Sequence, residues 1–223
     1  MTQTFKQSYY FLRQNILKLL GFTLLMGALL VLIAELLMPF FIDPLDTSQT
    51  ISLETIEPFA QMLNIIVKPI YTGALIILIV SLAKTEAKTM LNCIFAGILR
   101  WPFMLVANIM TSFLIFIGFL AFILPGIWLF TRLFLVPYLV MIDNQSPLTA
   151  LINSFKYTKD YSLTILSDIV ILIVILIFIV LILSLMQLLL PVLLLVLLLL
   201  FQTMAHVIYY RHYEILMEKY KTK

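Results

Sequence analysis

Three long apolar blocks occupy most of this chain and constrain its fold more than any motif does. They cover about residues 17–83, with an acidic interruption, 103–142 and 163–210. Hydrophobic residues make up 63% of the sequence and charged residues only 11%, whereas about a quarter of the residues in an ordinary soluble domain are charged. A water-soluble fold is therefore excluded. We expect an all-α, polytopic membrane protein, because helices satisfy their own backbone hydrogen bonds in lipid.

Each apolar block is long enough for two crossings, because a membrane-spanning helix needs about 20 apolar residues. Turn signals divide the blocks at Asp43-Pro44, at Pro125-Gly126 and around Gln187 to Pro191. The sequence thus predicts one integral membrane domain over residues 1–223, with six transmembrane helices in three hairpins. The predicted spans are about residues 17–42, 59–83, 103–124, 126–142, 163–186 and 190–210.

Basic residues are distributed unequally about this topology. The chain has 14 Lys and Arg residues, and all of them except Lys68 and Arg132 fall outside the spans on one side. The positive-inside rule makes that side cytoplasmic, so both termini are expected in the cytoplasm. The bilayer itself, through anionic lipid headgroups, is the expected partner of these charges. No basic patch with interleaved aromatic residues occurs, so nucleic acid is not expected as a partner.

A short amphipathic stretch precedes each predicted hairpin. The three stretches cover about residues 5–16, 88–100 and 146–159, with apolar residues at helical spacing on one face. We expect them to form interfacial helices that lie flat on the cytoplasmic leaflet. In the third, Ser146 is a predicted N-cap and Pro147 the first helical residue.

Four charged residues inside the predicted spans are the strongest candidates for function, since each costs about 2.5 to 3.5 kcal/mol at a helix centre. Counting 1.5 Å per residue places Glu35, Lys68 and Arg132 at similar depth in the outer half of the membrane. There, Lys68 and Arg132 are candidates to bind an anionic headgroup. The alternative is structural: Glu35 pairs with Lys68, and Arg132 reaches the outer headgroups. Asp168 is either the partner of a cytoplasmic-side base or the site of a coupling proton.

Other polar residues favour packing over chemistry. Asn108, Thr111 and Ser112 share one face of the third span, which indicates interhelical hydrogen bonding. His206 and His212 lie on different helix faces, and no nearby carboxylate or thiol in the sequence completes a site with them. We therefore expect no metal and no cofactor. No nucleophile and base motif occurs either, so the chain is not expected to be an enzyme.

One segment carries a family pattern. Leu124-Pro125-Gly126-Ile127 is followed by a span that ends with Pro137 and Asp143, and then by an amphipathic helix from Ser146 to Lys156. This stretch, within about residues 103–168, resembles the YciC-like family of bacterial inner-membrane proteins. It is also distantly similar to membrane domains attached to glycerophosphodiester phosphodiesterases. The resemblance implies a multi-pass protein of the bacterial inner membrane and transfers no catalytic residue.

Two functional hypotheses follow from these features. The first is non-enzymatic handling or transport of a lipid or other amphiphile in envelope maintenance, with phospholipid as the bound partner. The alternative is a structural or accessory subunit that docks a membrane or envelope protein or a second copy of the chain. They differ in one structural respect: whether the group of Glu35, Lys68 and Arg132 lines an open cavity or is closed by ion pairs.

Overall fold

Every regular element in the described part of the chain is helical. The structure, a computed structural model, describes residues 2–41, 53–86, 88–185 and 190–221. A short 3-10 turn, Lys159–Tyr161, precedes the eighth α-helix. The helices are α1 (Thr2–Phe41), α2 (Leu53–Ala83), α3 (Met90–Leu99), α4 (Trp101–Ala121), α5 (Ile123–Leu133), α6 (Val136–Met141), α7 (Pro147–Tyr157), α8 (Ser162–Leu185) and α9 (Leu190–Lys221).

Four stretches among the described residues are long and apolar enough to cross a membrane. They are Ile65–Ala83, Trp101–Ala121, Ile123–Met141 and Lys159–Phe178. These stretches correspond to the second, third, fourth and fifth predicted spans, so the all-helical class and four helices long and apolar enough to cross a membrane are confirmed. The first and sixth predicted spans are not among the four, and the six-span arrangement stays a prediction.

The four stretches differ in the share of their residues that is buried within the protein. That share is 67% in Ile65–Ala83 and 56% in Ile123–Met141, but only 17% in Trp101–Ala121 and 22% in Lys159–Phe178. The first two therefore belong to the centre of the molecule. α4 and α8 lie at its periphery, where their apolar side chains are available to lipid.

The first predicted interfacial helix is not a separate element. α1 is a single helix of 40 residues, about 60 Å long at 1.5 Å per residue. No Gly or Pro interrupts residues 2–20, so nothing stops the helix between the amphipathic stretch and the span. The expectation of a separate helix here was wrong. The N-terminal part of α1 instead meets α9, where Arg211 Nε donates to Gln7 Oε1 at 2.9 Å.

The other two predicted interfacial helices do form separate elements, α3 and α7. Thr89 caps α3 by accepting from the backbone N–H of Asn92, and Ser146 caps α7 by accepting from that of Thr149. α3 buries Cys93 and Gly97, and it approaches the backbone of α2 closely. A Cβ atom at Gly97 would lie 2.7 Å from the Ile70 carbonyl oxygen.

The hairpin of α4 and α5 turns slightly earlier than predicted. The break falls at Phe122, whose backbone is extended, and Pro125 and Gly126 lie in the first turn of α5. Proline is tolerated there because the first helical N–H groups have no partner within the helix. Gly118 and Gly126 allow the two helices to touch, since a Cβ atom at Gly118 would lie 3.0 Å from Gly126 Cα.

The fourth predicted span, expected to be one helix over residues 126–142, is interrupted. α5 ends at Leu133, two residues form a turn, and α6 begins at Val136. Pro137 has no N–H to donate to the Leu133 carbonyl, and its ring disfavours a regular helix just before it. This interruption, Phe134-Leu135, lies among buried residues.

The close approach at Gly97 generates a paired prediction. Gly97→Ala places a methyl group against the backbone of α2, so we expect a lower thermal unfolding midpoint in detergent. Gly21→Ala is the matched control, because a Cβ atom there would meet only Met90 Cε at 4.0 Å. At such an open helical site, Gly→Ala should stabilise the protein, by up to about 1 kcal/mol. Equal midpoints for the two variants would contradict the close packing of α3 on α2.

Candidate binding cavity

A cavity of about 1040 Å³ lies among α2, α4, the α5 to α6 interruption and α9. Ligand sites in proteins occupy about 300 to 1000 Å³, so this cavity is large enough for a sizeable ligand. Its walls are mainly aliphatic and aromatic, and they include Ile65, Ile109, Phe116, Phe130, Phe134 and Phe201.

Lys68 brings a positive charge to this cavity. It lies on α2, one turn before Thr72, which also lines the cavity, and its side chain is exposed. Lys68 is the one Lys or Arg among the described lining residues, and none of those residues is acidic. An anionic group in the cavity would therefore meet Lys68 within mainly apolar walls that carry no acidic residue among those described.

The three polar residues of the third predicted span also line the cavity. Asn108, Thr111 and Ser112 lie on α4 within two turns of each other. Thr111 Oγ1 is buried and has no hydrogen-bond partner among the described residues. The role in helix packing that the sequence predicted for these residues stays a prediction. Their position adds hydroxyl and amide groups to the wall that also carries Leu105 and Ile109.

A tyrosine and a histidine close the side of the cavity formed by α6 and α9. Tyr138 is almost fully buried, and its hydroxyl lies 3.0 Å from His206 Nδ1 and 3.1 Å from the His206 carbonyl oxygen. This contact joins the helix that follows the interruption to α9. Sequence analysis did not single out Tyr138 or Gln202 as site residues. The sequence does contain a signal for this face of α9, because Gln202 and His206 are polar residues one helical turn apart in an apolar run.

Arg132 is not part of the cavity lining. Its guanidinium carbon lies 5.4 Å from the Trp128 ring centroid and 5.3 Å from that of Phe155, so the cation is held between two aromatic rings. The Arg132 carbonyl accepts hydrogen bonds from Ser154 Oγ at 2.6 Å and Thr158 Oγ1 at 3.2 Å. Arg132 therefore belongs to the contact between α5 and α7.

The expectation that Lys68 and Arg132 share one site is thus not met. The interruption after Leu133 ends α5, and the last turn of α5 packs on α7 instead of facing Lys68. The contact with α7 also conflicts with the predicted depths, because α7 was placed at the cytoplasmic leaflet and Arg132 in the outer half. The sequence could not show this contact, because Arg132 and Ser154 are 22 positions apart.

Asp168 has a base as its neighbour. His212 Nε2 lies 2.7 Å from Asp168 Oδ2, and both side chains are almost fully buried. Asp168 Oδ1 has no hydrogen-bond partner among the described residues. The sequence gave no indication that a carboxylate lies beside His212, because Asp168 is 44 positions away along the chain.

Two remaining expectations concern metal binding and Glu35. Within residues 2–41, 53–86, 88–185 and 190–221, no group of three or more His, Cys, Asp or Glu side chains is arranged to hold a metal ion. Glu35 lies in α1, but its side chain is outside the described residues, as are most of the acidic connection after α1 and the turn after α8. The predicted pairing of Glu35 with Lys68 therefore stays a prediction.

Comparison with protein-family models finds no match to this chain. Comparisons with curated proteins and with solved structures also find no significant similarity. The resemblance to the YciC-like family consequently stays a prediction that rests on the segment from Pro125 to Lys156.

The buried pair of α8 and α9 generates a second prediction. Asp168→Leu and His212→Leu each leave one buried polar partner alone, so each should lower stability by about 3 kcal/mol. The double variant removes both polar groups and should recover much of that loss. The measurement is the thermal midpoint and the monodisperse fraction in detergent for the four proteins. Losses that simply add in the double variant would show that the pair does not interact.

Proposed function

We propose that the protein binds an amphiphile, an apolar chain with an anionic headgroup, in the cavity beside Lys68. The role is non-enzymatic lipid handling or transport in maintenance of a bacterial envelope. The observation that carries the proposal is the composition of the cavity: one exposed Lys within mainly apolar walls, with no acidic residue among the described lining residues.

The physical argument has two parts. A Lys side chain at membrane depth is costly without a compensating anion, since charges interact strongly where water is excluded. A phosphate or carboxylate headgroup supplies that anion, and Asn108 and Ser112 supply hydrogen-bond donors on the facing helix. The aromatic and aliphatic walls suit a hydrocarbon chain, which packs against them through dispersion contacts. A ligand with an anionic headgroup and a hydrocarbon chain therefore matches both the polar and the apolar residues of the lining.

The interruption between α5 and α6 supports the same proposal. Irregular backbone at membrane depth is tolerated where it lines a cavity or is covered by protein, and Phe134 and Pro137 at the interruption both line this cavity. The non-enzymatic part of the proposal rests on the sequence, in which no nucleophile and base motif occurs.

A structural or accessory role is the second candidate. It is supported by the outer surface of α8, which is apolar and largely uncovered: Lys159–Phe178 is only 22% buried. Such a surface suits a membrane-protein partner or a second copy of the chain, but lipid tails cover it equally well. We therefore place the cavity first, because an accessory subunit does not need one.

We further propose six spans with both termini in the cytoplasm of the bacterial inner membrane. Contacts between chain ends support this. Gln7, near the N-terminus, is bonded to Arg211, while the Tyr157 and Tyr220 rings lie 4.6 Å apart. The beginning of α1, the end of α7 and the end of α9 thus gather where basic residues are common, which is the cytoplasmic side by the positive-inside rule.

This topology is testable with introduced cysteines. Cys93 is buried, and burial raises the pKa of its thiol, so it is replaced by Ala in the parent variant. Ser48→Cys should react with a membrane-impermeant maleimide in intact spheroplasts, whereas Lys84→Cys should react only after lysis. The reverse pattern would overturn the orientation.

The binding proposal is tested at Lys68. Purified wild type should retain phosphatidylglycerol, and Lys68→Gln should weaken its binding by about tenfold or more, since a charge-assisted hydrogen bond contributes about 1.5 to 3 kcal/mol. Lys84→Gln is the matched control, because it removes a cation from an exposed turn. Binding is measured by native mass spectrometry with the full chain in detergent. Equal retention by folded wild type and Lys68→Gln would sink the proposal.

A further inference from the structure

A second apolar space lies beside the cavity. It is a groove of about 500 Å³ between α4 and α7. None of the described residues that line it carries a polar side chain, so these residues offer contact to hydrocarbon and no partner for a headgroup. Its walls include Met110 and Leu114 on α4 and Leu151, Ile152 and Phe155 on α7.

Phe113 lines both the groove and the cavity. α4 is therefore a shared wall, with Ser112 and Phe116 on the cavity and Met110 and Leu114 on the groove. The Phe113 side chain is 62% exposed, so it is not packed into a closed partition. The two spaces meet at this residue.

We propose that the ligand is a two-chain anionic lipid. One chain lies in the cavity with the headgroup at Lys68, and the second passes Phe113 into the groove between α4 and α7. This inference rests on the proposed function and adds the class of amphiphile. A single-chain ligand would occupy only the cavity, whereas the second chain of a two-chain lipid can also occupy the adjoining groove, whose described lining offers contact to hydrocarbon.

The two-chain inference is tested by substitutions that fill the groove between α4 and α7. Ile152→Trp is suitable because Ile152 lines the groove and is 62% exposed, so the larger side chain can be accommodated without disturbing buried residues. Leu91→Trp is the matched control, since it enlarges an exposed apolar residue of α3 that lines neither space. Leu148→Trp, also at an exposed groove residue, replaces Ile152→Trp if that variant does not fold.

The full-length protein is offered phosphatidylglycerol or its single-chain lyso form, which share a headgroup, and affinities are measured by native mass spectrometry. We expect wild type and Leu91→Trp to prefer the two-chain lipid by at least about tenfold, or about 1.4 kcal/mol. Ile152→Trp should lose that preference and keep its affinity for the lyso form.

The inference and the proposed function fail in different ways. Equal affinity of the wild type for the two lipids, with Lys68 still required, would overturn the two-chain inference and leave the cavity as a single-chain site. An undiminished preference in folded Ile152→Trp would also overturn it. Binding of neither lipid by the wild type would overturn the proposed function itself.

Discussion

Hydrocarbon cannot hydrogen-bond a polypeptide, and the rest of this structure depends on that constraint. The described chain is helical because each helix satisfies its own backbone groups. Where polar side chains remain at membrane depth, they either meet each other, as Asp168 and His212 do at 2.7 Å, or border a space that something else can occupy. Lys68 belongs to the second kind, and Asn108 and Ser112 line the same cavity.

The two kinds of polar site are close neighbours. The Phe134 ring packs edge-on against His212, with centroids 6.1 Å apart, and the same ring lines the cavity. The buried pair holds α8 on α9, and α9 carries His206 and Gln202 to the cavity wall. The position of this cavity wall therefore depends on the contact between Asp168 and His212, neither of which lines the cavity. Phe134, at the interruption between α5 and α6, thus contacts His212 of the buried pair and also lines the cavity.

Sequence patterns predicted what depends on local composition. Hydropathy located four helices that are long and apolar enough to cross a membrane, and capping residues located α7, whose Ser146 cap forms as expected. The predictions that were wrong, and the contacts that were missed, depended on how distant segments of the chain pack together. Arg132 was expected beside Lys68 from its count along the chain, but it packs on α7 at Ser154. The pair of Asp168 and His212 joins distant segments. Lys68 could be identified as a site residue from the sequence, because a charged side chain within an apolar span is energetically costly. Tyr138 is uncharged and gave no comparable signal.

The most direct measurement is an experimental structure of the wild-type protein in nanodiscs that contain phosphatidylglycerol, determined by cryo-electron microscopy. The account predicts elongated density that begins within hydrogen-bond distance of Lys68 Nζ and continues between α2, α4 and α9. A cavity closed by movement of α9 onto α4, with Lys68 paired to a carboxylate of the chain and no density beside it, would contradict the account.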